Sequence, residues 1–106
     1  MQTGAVYYNG RLAGYLEKHR PDAYVFKYED TYFADPNAKA ISLTFPKKQQ
    51  LYTSGTLFSF FSGLLSEGIN KRIQCRLLKI DENDDFTRLL KTAGGDTIGA
   101  ITIKEI

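Results

Sequence analysis

Phe60-Phe61-Ser62-Gly63-Leu64-Leu65-Ser66-Glu67-Gly68 carries an apolar helical stretch into a glycine-marked turn, and Gly94-Gly95-Asp96-Thr97-Ile98-Gly99-Ala100 follows a second such stretch. Around the first piece, Leu57, Phe60, Phe61, Leu64 and Leu65 recur at i, i+3, i+4, i+7 and i+8, one face of an amphipathic helix. Thr56 is placed to cap its start and Gly68 to follow its end. A second helix is expected next, with Ile69, Ile73, Leu77 and Ile80 on one side and Arg72, Arg76 and Lys79 on a neighbouring basic stripe. Asp81-Glu82-Asn83-Asp84-Asp85 then supplies caps and negative charge where the dipole of a third helix favours carboxylates. Phe86, Leu89, Leu90 and Ala93 form the buried face of that helix, Gly94 ends it, and Ile98 to Ile103 alternates as a closing strand.

Upstream the period changes to two. Ala5-Val6-Tyr7-Tyr8 and Arg11 to Leu16 flank Asn9-Gly10, the dipeptide that most readily supplies the two positive φ values of a type I′ turn, so a β-hairpin is expected. After a polar connection through His19-Arg20-Pro21-Asp22, the aromatic and β-branched run Tyr24 to Tyr28 reads as a third strand. Asp35-Pro36-Asn37 reads as a turn. Ile41-Ser42-Leu43-Thr44-Phe45 alternates and is stopped by Pro46, which predicts a short strand, and Lys47 to Gln50 reads as a solvated connector. Strands first, helices next and a closing strand predict an α+β fold: one domain over residues 1–106, about three helices packed on one side of a largely antiparallel sheet.

Composition bounds the function. With 106 residues, 42% hydrophobic and 25% charged, the chain can bury one core, and its net charge of +2 is too small for a nucleic-acid footprint or a polybasic anchor. The single cysteine, Cys75, closes no internal disulfide, and Met1-Gln2-Thr3-Gly4 lacks the regions of a secretory signal, so a soluble cytoplasmic protein is expected. No apolar run approaches the roughly 20 residues that span a bilayer.

Catalytic chemistry finds few supports. A metal site would have to draw its imidazole and thiolate ligands from His19 and Cys75 alone, so no metal and no cofactor are expected. The run from Asp81 has Phe86 where a calcium loop needs glycine and Thr92 where it needs glutamate. His19 falls in an exposed turn, Cys75 in a helix, and no sequence spacing brings Glu67 to Asp96, so no catalytic residue is assigned. Gly94-Gly95-Asp96-Thr97 lacks the ending of a phosphate loop. Tyr7, Tyr8, Tyr24, Phe26 and Tyr28 could stack single-stranded bases, but sheet packing accounts for them, so direct nucleic-acid binding is not expected.

In order, the chain presents the hairpin Val6 to Leu16 with Asn9-Gly10 and Gly14, then Phe26-x-Tyr28, then Ile41-Ser42-Leu43-Thr44-Phe45-Pro46. Phe60-Phe61-x-x-Leu64-Leu65-x-Glu67-Gly68, Phe86-x-x-Leu89-Leu90 and Gly94-Gly95-Asp96-x-x-Gly99-Ala100 complete the series. This ordered set resembles the N-terminal subdomain of bacterial HipA-type toxin kinases, with Ser66 where the family's Leu-Leu-Pro-Glu-Gly motif has proline. In that family a serine/threonine kinase core follows the subdomain and carries the ATP, magnesium and catalytic residues. This sequence ends at Ile106, so none of those residues can be carried over. The resemblance therefore implies a split toxin–antitoxin system: a small non-enzymatic protein that binds and restrains a separately encoded HipA-like kinase, often beside a helix-turn-helix DNA-binding protein. An accessory subunit that the kinase needs is the alternative, and an independent nucleic-acid binder a third. The connection Leu65-Ser66-Glu67-Gly68-Ile69 is the expected partner contact, with the Arg72, Arg76 and Lys79 stripe a further candidate.

Overall fold

The computed structural model describes residues 2–65, 68–81, 83–92 and 100–106, without the side chains of residues 68–70 and 74. Asn9 and Gly10 hold φ values of 51° and 84°, as a type I′ turn requires, and join β1 (Gln2–Tyr8) to β2 (Arg11–Arg20). The hairpin continues into β3 (Ala23–Tyr28), and further along come α1 (Asp30–Ala34), β4 (Leu51–Ser54), α2 (Ser59–Ser62), α3 (Gly68–Leu78), α4 (Asp85–Thr92) and β5 (Ile101–Glu105). The five strands form one sheet in the order β4-β3-β2-β1-β5, with every neighbouring pair antiparallel. This is the expected α+β architecture, with a meander closed on its β1 side by the last strand.

Register decides which residues meet. One cross-strand row runs Tyr28, Gly14, Val6, Ile103, and the next runs Tyr52, Phe26, Leu16, Gly4. These rows point to the core, where Phe61, Phe86, Leu89 and Leu90 cover them from α2 and α4. The β1–β2 register shifts between Val6 and Tyr7, where Ala13 is the extra residue on β2. The opposite row Ala5, Tyr15, Lys27 belongs to the sheet's other face.

Four expectations are corrected. Ile41 to Phe45 is a turn rather than a strand, with Ile41 and Phe45 buried as plugs and Leu43 fully exposed. The Phe45 N–H closes it on the Ser42 carbonyl at 3.1 Å, and a side chain ties down its ends: the Tyr28 hydroxyl donates to the Phe45 carbonyl at 2.5 Å and accepts from the Ile41 N–H at 3.1 Å. The fourth strand is instead Leu51–Ser54. The helix beginning near Leu57 is one turn, α2, opened by Phe58 and closed at Gly63, so Thr56 is not its cap and Gly68 opens α3 instead. His19 and Arg20 extend β2 rather than forming the connection.

The third helix follows its sequence more closely. Asp84 caps α4, accepting from the Thr87 N–H at 3.1 Å and the Thr87 hydroxyl at 2.7 Å, and Phe86, Leu89 and Leu90 are buried. Lys91 pairs with Glu105 at 2.5 Å, tying the helix to β5. Ala93, Gly94 and the Gly94 to Gly99 turn lie outside the described residues, as does Ile98 at the expected start of the strand.

Burial raises the Tyr28 phenol from 10.0 to about 12, and its bond from the Ile41 N–H offsets part of that rise. The folded state therefore holds this proton at pH values where the unfolded chain has released it. The resulting stabilisation is complete below pH 10.0 and disappears as pH rises through about 12. Urea titrations of wild type and Tyr28→Phe are expected to converge across that window by on the order of 1 to 2 kcal/mol. Near neutral pH the variant should be less stable by about 1 to 3 kcal/mol, because two buried backbone groups lose their partner. Parallel pH profiles would refute this account.

Candidate protein interface

The α2–α3 connection, α3 and the residue that follows it hold all the residues expected to meet a partner. Leu65, three residues past the end of α2, is only 9% exposed and belongs to the core cluster, so its side chain faces its own domain. Ser66 and Glu67 lie outside the described residues. Gly68 and Ile69 begin α3, and the Ile69 side chain is likewise outside the described set.

On α3 the apolar stripe and the buried face are different sides. Cys75 is 4% exposed, whereas Ile73 is 49% and Leu77 75% exposed. Each of the two lies two residues from Cys75, hence about 160° away around the helix. The domain thus packs the Cys75 side of α3 inward, and Ile73 and Leu77 face solvent. Leu78, 48% exposed, adds apolar surface at the helix end.

The basic stripe is divided by the helix end. Arg72 and Arg76 are exposed on α3 beside Ile73, while Lys79 stands past the last helical residue with φ of 56°. The Ile80 N–H donates back to the Cys75 carbonyl at 2.9 Å, the six-to-one bond of a Schellman cap with Lys79 in its left-handed position. Arg72 and Arg76 therefore share the helix surface, and Lys79 belongs to its cap.

Other chemistry is not assembled among the described residues. No group of three or more His, Cys, Asp or Glu side chains could hold a metal ion there. The exposed His19 bonds Glu17 at 2.8 Å within β2, and buried Cys75 lies on α3. A cleft of about 400 Å³ between Lys18, Tyr24, Gly55 and the Asp81 to Asp85 segment includes Asp84, whose carboxylate is engaged in capping. Tyr24, Phe26 and Tyr28 are buried and unable to stack bases; Phe26 and Tyr28 meet edge-on at 5.0 Å between ring centres. No described helix is long and apolar enough to cross a membrane.

Sequence reading missed two features of this half of the molecule. Arg88 is 1% exposed inside α4, with its guanidinium 2.9 Å from Asp85, and only the i, i+3 spacing of the two charges signals it. The outward turn of Ile73 and Leu77 carries no sequence signal, because periodicity defines a stripe without stating what it faces.

Comparison with known proteins gives this surface its context. An uncharacterised protein of Haemophilus influenzae is 36% identical over 106 residues, covering 99% of this chain and 93% of that protein. A candidate kinase of Sinorhizobium fredii, Y4mE, is 29% identical over 98 residues, which are 92% of this chain but 23% of Y4mE. A solved structure, the N-terminal domain of HipA toxin, superposes with a TM-score of 0.70 at 29% identity, covering 100% of this chain and 93% of that one. The sequence model of the HipA N-terminal domain matches residues 4–104, and the chain belongs to that family.

Proposed function

We propose that this chain is a non-catalytic, cytoplasmic, protein-binding regulator that binds and inhibits a separately encoded HipA-like serine/threonine kinase. One observation carries the reading: the same domain makes up 93% of the Haemophilus influenzae relative and 23% of Y4mE, so it occurs both as nearly a whole polypeptide and as part of a longer one. A domain separated from its covalent neighbour keeps the surface that packed on it and loses only the effective concentration that linkage supplied. Association in trans follows. The connection that follows the buried Leu65, Ser66 to Ile69 leading into α3, is the proposed start of that contact, and a helix-turn-helix DNA-binding protein is a proposed third member of the complex.

The test is autophosphorylation of a purified HipA-family kinase chain that lacks this domain, measured while this protein is titrated in. Phosphate incorporation is expected to fall with added protein and level off at a one-to-one ratio. A rise would instead assign the role of accessory subunit, and no change together with no co-elution would sink both.

A further inference from the structure

Ile73 and Leu77 lie one helical turn apart on the outward side of α3, and the domain's core closes without them. Large apolar side chains this exposed, side by side on a helix, mark a surface that another molecule covers. Arg72 and Arg76 border the pair along one flank.

We propose that this face of α3 is the docking surface for the kinase chain, with Ile73 and Leu77 entering an apolar groove and Arg72 and Arg76 meeting an acidic rim. This rests on the regulatory reading above and names its contact. Two observations select the occupant. In Y4mE the matched segment is 23% of the chain, so the same domain there has a much larger polypeptide beside it to cover such a face. Charge argues against a second copy of this protein. Two α3 helices packed antiparallel about a two-fold axis would set the same flank of each against the other, placing Arg72 and Arg76 opposite their own counterparts. A partner with acidic residues along that edge removes the repulsion and gains attraction.

The experiment measures affinity for a purified HipA-family kinase chain lacking this domain, using wild type, Ile73→Ser/Leu77→Ser and Arg72→Glu/Arg76→Glu. The serine pair is expected to weaken binding about 100-fold while thermal unfolding stays at the wild-type midpoint, since both side chains are exposed. The glutamate pair should slow association about tenfold and flatten its salt dependence. Binding by the serine pair within about threefold of wild type would overturn the surface while leaving the regulatory reading intact. A wild-type dimer in sedimentation that the serine pair dissociates would overturn it in favour of self-association. Wild type that does not bind the kinase at all would sink the regulatory reading, and this inference with it.

Discussion

Phe45→Ala is expected to cost about 3 to 5 kcal/mol and to lower the unfolding midpoint by roughly 15 °C or more. Phe45 is 2% exposed and lies among Phe26, Tyr52, Phe58 and Phe61, with ring centres 5.0 to 5.6 Å away. It reaches that site from a turn, which has no ladder of its own to hold it. Removing the ring leaves a cavity bounded by sheet on one side and α2 on the other, and neither wall can collapse into it without breaking strand pairs. Leu43→Ala provides the discriminating comparison. A strand through Ile41 to Phe45 would set positions 41, 43 and 45 on one face, so both substitutions would be costly. In the turn, Leu43 is 100% exposed, and its replacement should change stability by less than about 0.5 kcal/mol. Calorimetry on the two variants decides between these geometries, and similar losses would restore the strand.

That segment shows where sequence was informative and where it was not. The Asn9-Gly10 hairpin was legible because positive φ at two successive residues is a local steric demand that few dipeptides meet. α4 was legible because Asp84 acts on Thr87, three residues away. The turn at Ile41 to Phe45 was not, because alternation alone mimics a strand and the Tyr28 hydroxyl that ties its two ends to the core is more than a dozen residues away. β4 escaped notice because Leu51 and Thr53 are exposed on the sheet edge, which leaves little apolar contrast to read. The family likeness was legible from ordered motifs, whereas the orientation of α3 depended on the whole core. Its inward position is filled by Cys75, a residue that pattern reading treats as neutral.

Gly14→Ala is the second large effect, expected at about 3 kcal/mol. Gly14 lies on β2, the central strand, paired with Val6 on one side and Tyr28 on the other. A Cβ there would stand 2.4 Å from the Lys27 carbonyl oxygen and 3.0 Å from the Phe26 ring. The oxygen belongs to the backbone of the neighbouring strand and has no rotamer by which to retreat. Relief requires β2 and β3 to part, and Tyr28 follows β3 while it holds the Ile41 to Phe45 turn in place. Strain at one methyl therefore extends to the plug at Phe45. Gly4 is the contrasting case on the adjacent strand. Its added Cβ would lie 2.6 Å from Leu90 Cδ2, the far end of a side chain that can turn aside, and 2.9 Å from Ile103 Cγ2, a stiffer branch but still not backbone. Gly4→Ala should cost about 1 kcal/mol, leaving a difference between the two glycines of about 2 kcal/mol in urea unfolding. Equal losses would mean that the β2–β3 pair yields as readily as a leucine rotamer, and the requirement for glycine at position 14 would then need another cause.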